Sequence, residues 1–153
     1  MGEEAGHVAI ALDTLVDGVH FPSDTPAYDV GYKALAVNLS DLAAMGAVPT
    51  EAVAVVSIPE HIDPAWLAGF RAGLEALAGS LGVEVAAVDA VPGTLSASVE
   101  VHGRCPAGKA LTRAGARAGD RIFVSGTLGD AGGGLEIALG RRPARPDASA
   151  RAL

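Results

Sequence analysis

The chain has 153 residues, of which half are apolar and 19% charged, with a formal net charge of −7. That length suits a globular domain with an appendage, able to bury about two-thirds of its unfolded surface. No apolar run reaches the ~18 residues of a membrane span, and no basic segment leading into an apolar stretch opens the chain, so no membrane partner is expected and the cytoplasm is the expected compartment. The single cysteine, Cys105, can form neither an internal disulfide nor a metal knuckle and reads as a small buried hydrophobe. Charge is unevenly spread: residues 1–102 hold 2 Lys+Arg against 14 Asp+Glu, whereas residues 103–153 hold 9 against 4. The acidic part suits cations and the basic part anions. The arginines are scattered among Gly, Ala and Pro with one aromatic, Phe123, so no nucleic-acid partner is expected.

In chain order, Val8, Ile10 and Leu12 alternate in a strand from His7 to Asp13, after which Asp13 to Phe21 reads as a loop. A helix follows, capped by Asp24 or Thr25, with Pro26 in its first turn and Gly46 at its end. Apolar side chains on nearly every face of it predict a central helix. Glu51 to Ile58, rich in Ala and Val, predicts a buried strand. Asp63-Pro64 then opens an amphipathic helix in which Trp66, Phe70, Leu74, Leu77 and Leu81 recur at three- and four-residue steps. Gly69 and Gly73 within it predict close packing against the sheet, because each costs about 1 kcal/mol relative to Ala. Val83 to Val88 and Leu95 to Val101 read as strands around a turn at Pro92-Gly93. Beyond Gly103 the character changes, to a strand at Arg121 to Val124, a glycine-rich loop at Gly126 to Gly134 and a short helix at Leu135 to Leu139. The order predicts an α/β fold (α+β), a small mixed sheet with two helices on one face. No period of 20 to 50 residues marks a repeat array.

The chemistry lies in carboxylates set within apolar sequence. Asp13 opens Asp13-Thr14-Leu15-Val16-Asp17-Gly18-Val19-His20-Phe21, and Asp41 stands within Tyr32-Lys33-Ala34-Leu35-Ala36-Val37-Asn38-Leu39-Ser40-Asp41-Leu42-Ala43-Ala44-Met45-Gly46. A buried carboxylate without a partner costs several kcal/mol, and no residue three or four away from Asp41 is basic. A divalent metal carrying phosphate would compensate both. With Asp89, these acids stand on separate elements and can meet at one edge of a sheet. The plainer alternatives are a solvated turn acid at Asp13 and a wet helix stripe of Lys33, Asn38 and Asp41.

These two segments, with Gly108-Lys109-Ala110-Leu111-Thr112-Arg113-Ala114-Gly115-Ala116 and Val124-Ser125-Gly126-Thr127-Leu128-Gly129-Asp130, resemble the thiamine-monophosphate kinase family. That family belongs to a superfamily shared with aminoimidazole ribonucleotide synthetase and selenophosphate synthetase, and the likeness runs over roughly residues 8 to 140. The resemblance implies ATP-dependent phosphorylation of thiamine monophosphate to thiamine diphosphate, with Mg²⁺ as cofactor and ATP as co-substrate. It implies Asp13, Asp41 and Asp89 as metal ligands, with Asp13 and Asp41 catalytic, Thr14, Asp89 and Arg113 on the nucleotide, and His20 toward the substrate. It also implies a homodimer formed by pairing of sheets. Residues 1–105 would be the N-terminal ATP- and metal-binding and dimerisation domain, lacking its first segment. Residues 106–140 would begin a C-terminal domain, and residues 141–153 would form a flexible tail.

For His20 a structural role stands beside the functional one, as does a plain surface role for Arg113. The chain departs from the family at Ala87-Val88-Asp89-Ala90-Val91-Pro92-Gly93, where family members carry Gly-Gly-Asp-Thr-Thr-Arg-Gly. Loss of the glycines, hydroxyls and guanidinium predicts weakened or abolished nucleotide affinity. Two rivals follow: a non-catalytic dimerisation or binding module of the same fold, and a superfamily relative acting on another substrate.

Overall fold

The computed structural model describes residues 6–124 and 126–143. The chain divides into two compact units, Met1–Thr112 and Arg113–Leu153.

The first unit is a four-stranded mixed sheet covered on one face by two helices. Its elements are β1 (His7–Val16), α1 (Ala27–Ala44), β2 (Val48–Ile58), α2 (Ala65–Leu81), β3 (Glu84–Pro92) and β4 (Ser96–Cys105). The strand order is β1-β4-β2-β3. β4 pairs antiparallel with both β1 and β2, whereas β2 and β3 run parallel through the α2 crossover. β3 and β4 are therefore not a hairpin. The segment Gly93–Leu95 carries the chain across the end of β2, held by the Gly93 N–H donating to the Ile58 carbonyl at 3.2 Å.

Alternation assigns the two faces. Ala9, Ala11, Leu15, Ala52, Ala54, Val56, Ala97, Val99 and Val101 point inward, beneath Val30, Leu35 and Leu42 of α1 and Phe70 and Leu74 of α2. Cys105 is buried at the same level, as expected. The opposite face carries no helix of this unit among the described residues. On it Val8, Ile10 and Leu12 of edge strand β1 are 62%, 56% and 62% exposed, and Val55 of β2 is 47% exposed.

Several local expectations are corrected. β1 runs to Val16, because Thr14, Leu15 and Val16 stay in register with Ser98, Ala97 and Ser96, so Asp13 lies within the strand rather than at its end and Thr14 lies in the strand rather than in a loop. β3 likewise continues to Pro92, which an edge strand tolerates. Helix α1 starts after Pro26, without a side-chain cap from Asp24 or Thr25. It is not central: its buried stripe is Val30, Gly31, Ala34, Leu35, Asn38 and Leu42, while Tyr28, Tyr32, Lys33 and Asp41 are exposed. Gly69 and Gly73 of α2 face α1 rather than the sheet. A side chain at Gly73 would overlap the Tyr28 carbonyl, and one at Gly31 would overlap that of Phe70. Asp63 does serve the start of α2, its Oδ1 accepting the Ala65 N–H at 2.8 Å, and Gly82 ends the helix at φ 68°.

In the second unit the described residues form one helix, α3 (Asp130–Ala138), entered through Gly129 at φ 95°. The expected strand at Arg121 to Val124 is absent: Ile122 and Phe123 are 95% and 84% exposed, and no strand stands beside them among the described residues of this unit. The tail expected over residues 141–153 lies, from residue 144 onward, outside the described residues, as does Ser125.

Candidate active site

The turn that leaves β1 is tightly specified. Gly18 adopts φ 69°, a left-handed conformation that costs a glycine little. The Asp17 N–H donates to the Leu95 carbonyl at 3.1 Å, and Gly18 donates to Phe21 at 2.9 Å. Within this turn His20 is exposed, and its Nδ1 accepts the Val16 N–H at 3.0 Å. In the neutral ring that bond leaves the proton on Nε2, which becomes a donor to solvent or ligand. Lys33 reaches over from α1, its Nζ donating to the His20 carbonyl at 2.6 Å. Lys33 and Arg71 are the two basic side chains of residues 1–102, and Arg71 pairs with Glu75 at 2.9 Å. A cation and a ring donor thus converge at one corner of an otherwise acidic unit. The charge asymmetry of the sequence contained that signal, but Lys33 read as part of a solvated stripe.

Thr14 turns to the helix-free face, where its Oγ1 lies 2.8 Å from Ser98 Oγ. Ser98 is opposite Val55, and Val55 is opposite Asp89. Thr14, Ser98, Val55 and Asp89 therefore form one row across that face. Asp89 is exposed, and its Oδ1 accepts the Ala90 N–H at 2.8 Å. Asp13 takes the other face, between Ala11 and Leu15 and opposite Val99. It remains exposed, as does Asp41 on α1, so the expectation that these carboxylates are buried is not met. Neither has an ion-pair partner among the described residues. Arg113 is exposed at the start of the second unit.

The expected meeting of three acids at one sheet edge does not occur within the chain. β1 and β3 are opposite edges, so Asp13 and Asp89 are separated by three strand spacings, about 14 Å, and face opposite sides. Among the described residues no three His, Cys, Asp or Glu side chains are grouped to hold a metal ion, and no helix is long and apolar enough to cross a membrane.

Among the described residues, two buried side-chain oxygens lack hydrogen-bond partners: Asn38 Oδ1 on α1 and Asp17 Oδ1 in the turn. The other end of the Asn38 amide is satisfied by the Ala34 carbonyl at 2.9 Å. Sequence reasoning missed both, because Asp17 stands within an expected loop and Asn38 within the alternative of a wet helix stripe.

Residues 2–105 match the family described as AIR synthase related protein, N-terminal domain. Thiamine-monophosphate kinase of Salmonella typhimurium is 46% identical over 134 residues, which are 88% of this chain and 41% of that protein. The crystal structure of thiamine-monophosphate kinase from Stenotrophomonas maltophilia superposes with TM-score 0.81 at 45% identity, covering 89% of this chain and 43% of that one. AaThiL complexed with AMPPCP and TMP superposes with TM-score 0.86 at 32% identity, covering 95% and 47%. The chain thus spans less than half the length of these relatives. With a matched domain over most of its first unit and the same fold, the chain belongs to the AIR synthase related protein family, through its N-terminal domain.

Proposed function

We propose that the chain carries the N-terminal part of a kinase that transfers the γ-phosphoryl group of ATP to thiamine monophosphate, giving thiamine diphosphate. The observation that carries this reading is the likeness to AaThiL, seen with AMPPCP and TMP, over 95% of the chain. The acceptor is already an anionic phosphate, so the reaction needs positioning and charge neutralisation more than a strong base. His20 Nε2 and Lys33 would hold that acceptor phosphate. Thr14 and Arg113 would serve the nucleotide.

Asp13 and Asp41 fit Mg²⁺ in their donor chemistry: each is an exposed carboxylate without an ion-pair partner, and Mg²⁺ commonly takes one or two carboxylates, with water and substrate phosphates completing its six oxygens. Asp89 would add a third carboxylate. The metal would supply charge neutralisation on the phosphates. ATP and phosphorylated acceptors point to the cytoplasm.

The exposed apolar row of Val8, Ile10 and Leu12, with Val55 of β2 on the same face, supports a homodimer through the helix-free sheet face. A second reading, a dimerisation or binding module without turnover, is favoured by the separation of Asp13 from Asp89 and by the altered residues around Asp89. Thiamine diphosphate formation from thiamine monophosphate, ATP and Mg²⁺, with Asp41→Asn as control, separates the two. Turnover lost in the control supports the kinase, whereas a folded chain without turnover supports the module.

A further inference from the structure

The helix-free face of the sheet is apolar along β1 and charged across its middle. Alternation along β4 puts Glu100, His102 and Arg104 on this face, since Val99, Val101 and Cys105 are buried beneath the helices. Glu51 of β2 and Glu84 of β3 join them, because Ala52 is buried and Val85 packs against the core. The register sets these residues in rows. Ile10, His102, Glu51 and Glu84 stand abreast across the four strands, and Arg104 lies in the next row, between Val8 and Val48.

These charges are not balanced within one copy. Glu100 has a partner, its Oε1 lying 2.7 Å from His102 Nε2. Glu51 and Glu84 are direct neighbours in the parallel ladder, two like charges side by side, and such a pair repels. Neither has an ion-pair partner among the described residues, and neither has Arg104. Arg104 is exposed and flanked by exposed apolar side chains, Val8 at 62% and Val48 at 67%. Covering this apolar surface would remove the unpaired charges from water as well, which is costly unless each meets its opposite. An acidic partner would leave Glu51 and Glu84 unmatched, and a basic one would leave Arg104 unmatched. A second copy of the chain brings both signs, and a two-fold contact makes any such pairing twice.

We propose that Arg104 of one copy pairs with Glu51 and Glu84 of a second across the helix-free face, and that this reciprocal pairing sets the register in which the two sheets pack. The proposal rests on the homodimer reading above. That reading needs only the apolar row and stands without these charges.

The test is sedimentation velocity on the purified chain over a range of concentrations. The parent should dimerise. Arg104→Glu should weaken self-association at least about tenfold, and the double variant Glu51→Lys, Glu84→Lys should do the same, because each sets like charges together at both symmetry-related contacts. Arg104→Gln, which removes a charge without adding one, should weaken it a few-fold and serves if a charge reversal misfolds. An equimolar mixture of Arg104→Glu with the double lysine variant should regain the parent's affinity to within about tenfold, since the mixed dimer has one native contact and one charge-reversed contact. Arg104 variants that dimerise as tightly as the parent would overturn the pairing and leave the homodimer reading intact. So would folded reversal variants whose mixture stays monomeric. A monomeric parent would overturn both, and neither result touches the kinase reading.

Discussion

Gly73 of α2 lies directly against the backbone carbonyl of Tyr28 in α1, close enough that a methyl group at 73 would overlap it. Gly31 of α1 makes the reciprocal contact with the Phe70 carbonyl. The approach of the two helices that cover the sheet is therefore set by paired glycine and carbonyl contacts.

Gly73→Ala should destabilise the first unit by about 1–3 kcal/mol, since the overlap is with backbone and the roughly 1 kcal/mol gain in helix propensity offsets only part of it. Gly79→Ala, on the exposed side of the same helix with nothing within 4 Å of its would-be methyl, should instead stabilise by about 0.5–1 kcal/mol. Denaturant melts of the two variants should move in opposite directions. A loss of stability in both would mean that helix packing is not what excludes side chains at 73.

Thr14→Val tests whether the Thr14 hydroxyl holds a neighbour or a ligand. Among the described residues its hydroxyl pairs with Ser98 Oγ, on an exposed face, so stability should change by no more than about 0.5–1 kcal/mol. Mg²⁺-AMPPCP affinity should fall at least about tenfold if the hydroxyl contacts the nucleotide. Unchanged affinity in a calorimetric titration would reduce Thr14 to a cross-strand partner of Ser98.

His20 and Lys33 make a related pair of outcomes. Lys33→Ala should raise the KM for thiamine monophosphate about tenfold or more with a smaller change in kcat, because it removes charge held near the acceptor rather than a reacting group. His20→Ala should do the same and also free the Val16 N–H, which ends β1. Steady-state kinetics on both variants decide this, and unchanged KM values would return the corner to a structural role.

What the sequence made legible was what depends on periodicity. The alternation of Val8, Ile10 and Leu12, the three- and four-residue steps from Trp66 to Leu81, and the terminal Gly82 each followed from local rules. What depends on distant pairing was hidden. Nothing local to Thr14, Leu15 and Val16 says that β4 will extend beside them, so the sequence alone ends β1 at Asp13. The strand order put Asp13 and Asp89 at opposite edges because Gly93–Leu95 crosses β2 instead of turning back, a choice made by the sheet as a whole. Arg121 to Val124 failed in the other direction, since favourable strand residues cannot form a strand without a neighbour.

The separation of Asp13 from Asp89 bears on the last prediction. Two carboxylates about 14 Å apart and on opposite faces cannot meet one nucleotide's Mg²⁺ within a single copy, but the helix-free face that carries Asp89 and Thr14 is also the apolar face proposed to pair. Ile10→Asp sets a charge in the middle of the exposed apolar row of edge strand β1, at a site 56% exposed, so the fold should lose only about 1 kcal/mol through strand propensity. The proposed dimer should dissociate to a monomer in sedimentation velocity. If nucleotide binding draws on both copies, Mg²⁺-AMPPCP affinity should fall with it, by as much as in Asp89→Asn. A monomeric Ile10→Asp chain that binds the nucleotide as tightly as the parent would show that each copy holds it alone, and Asp89 would then have no part in the site containing Asp13.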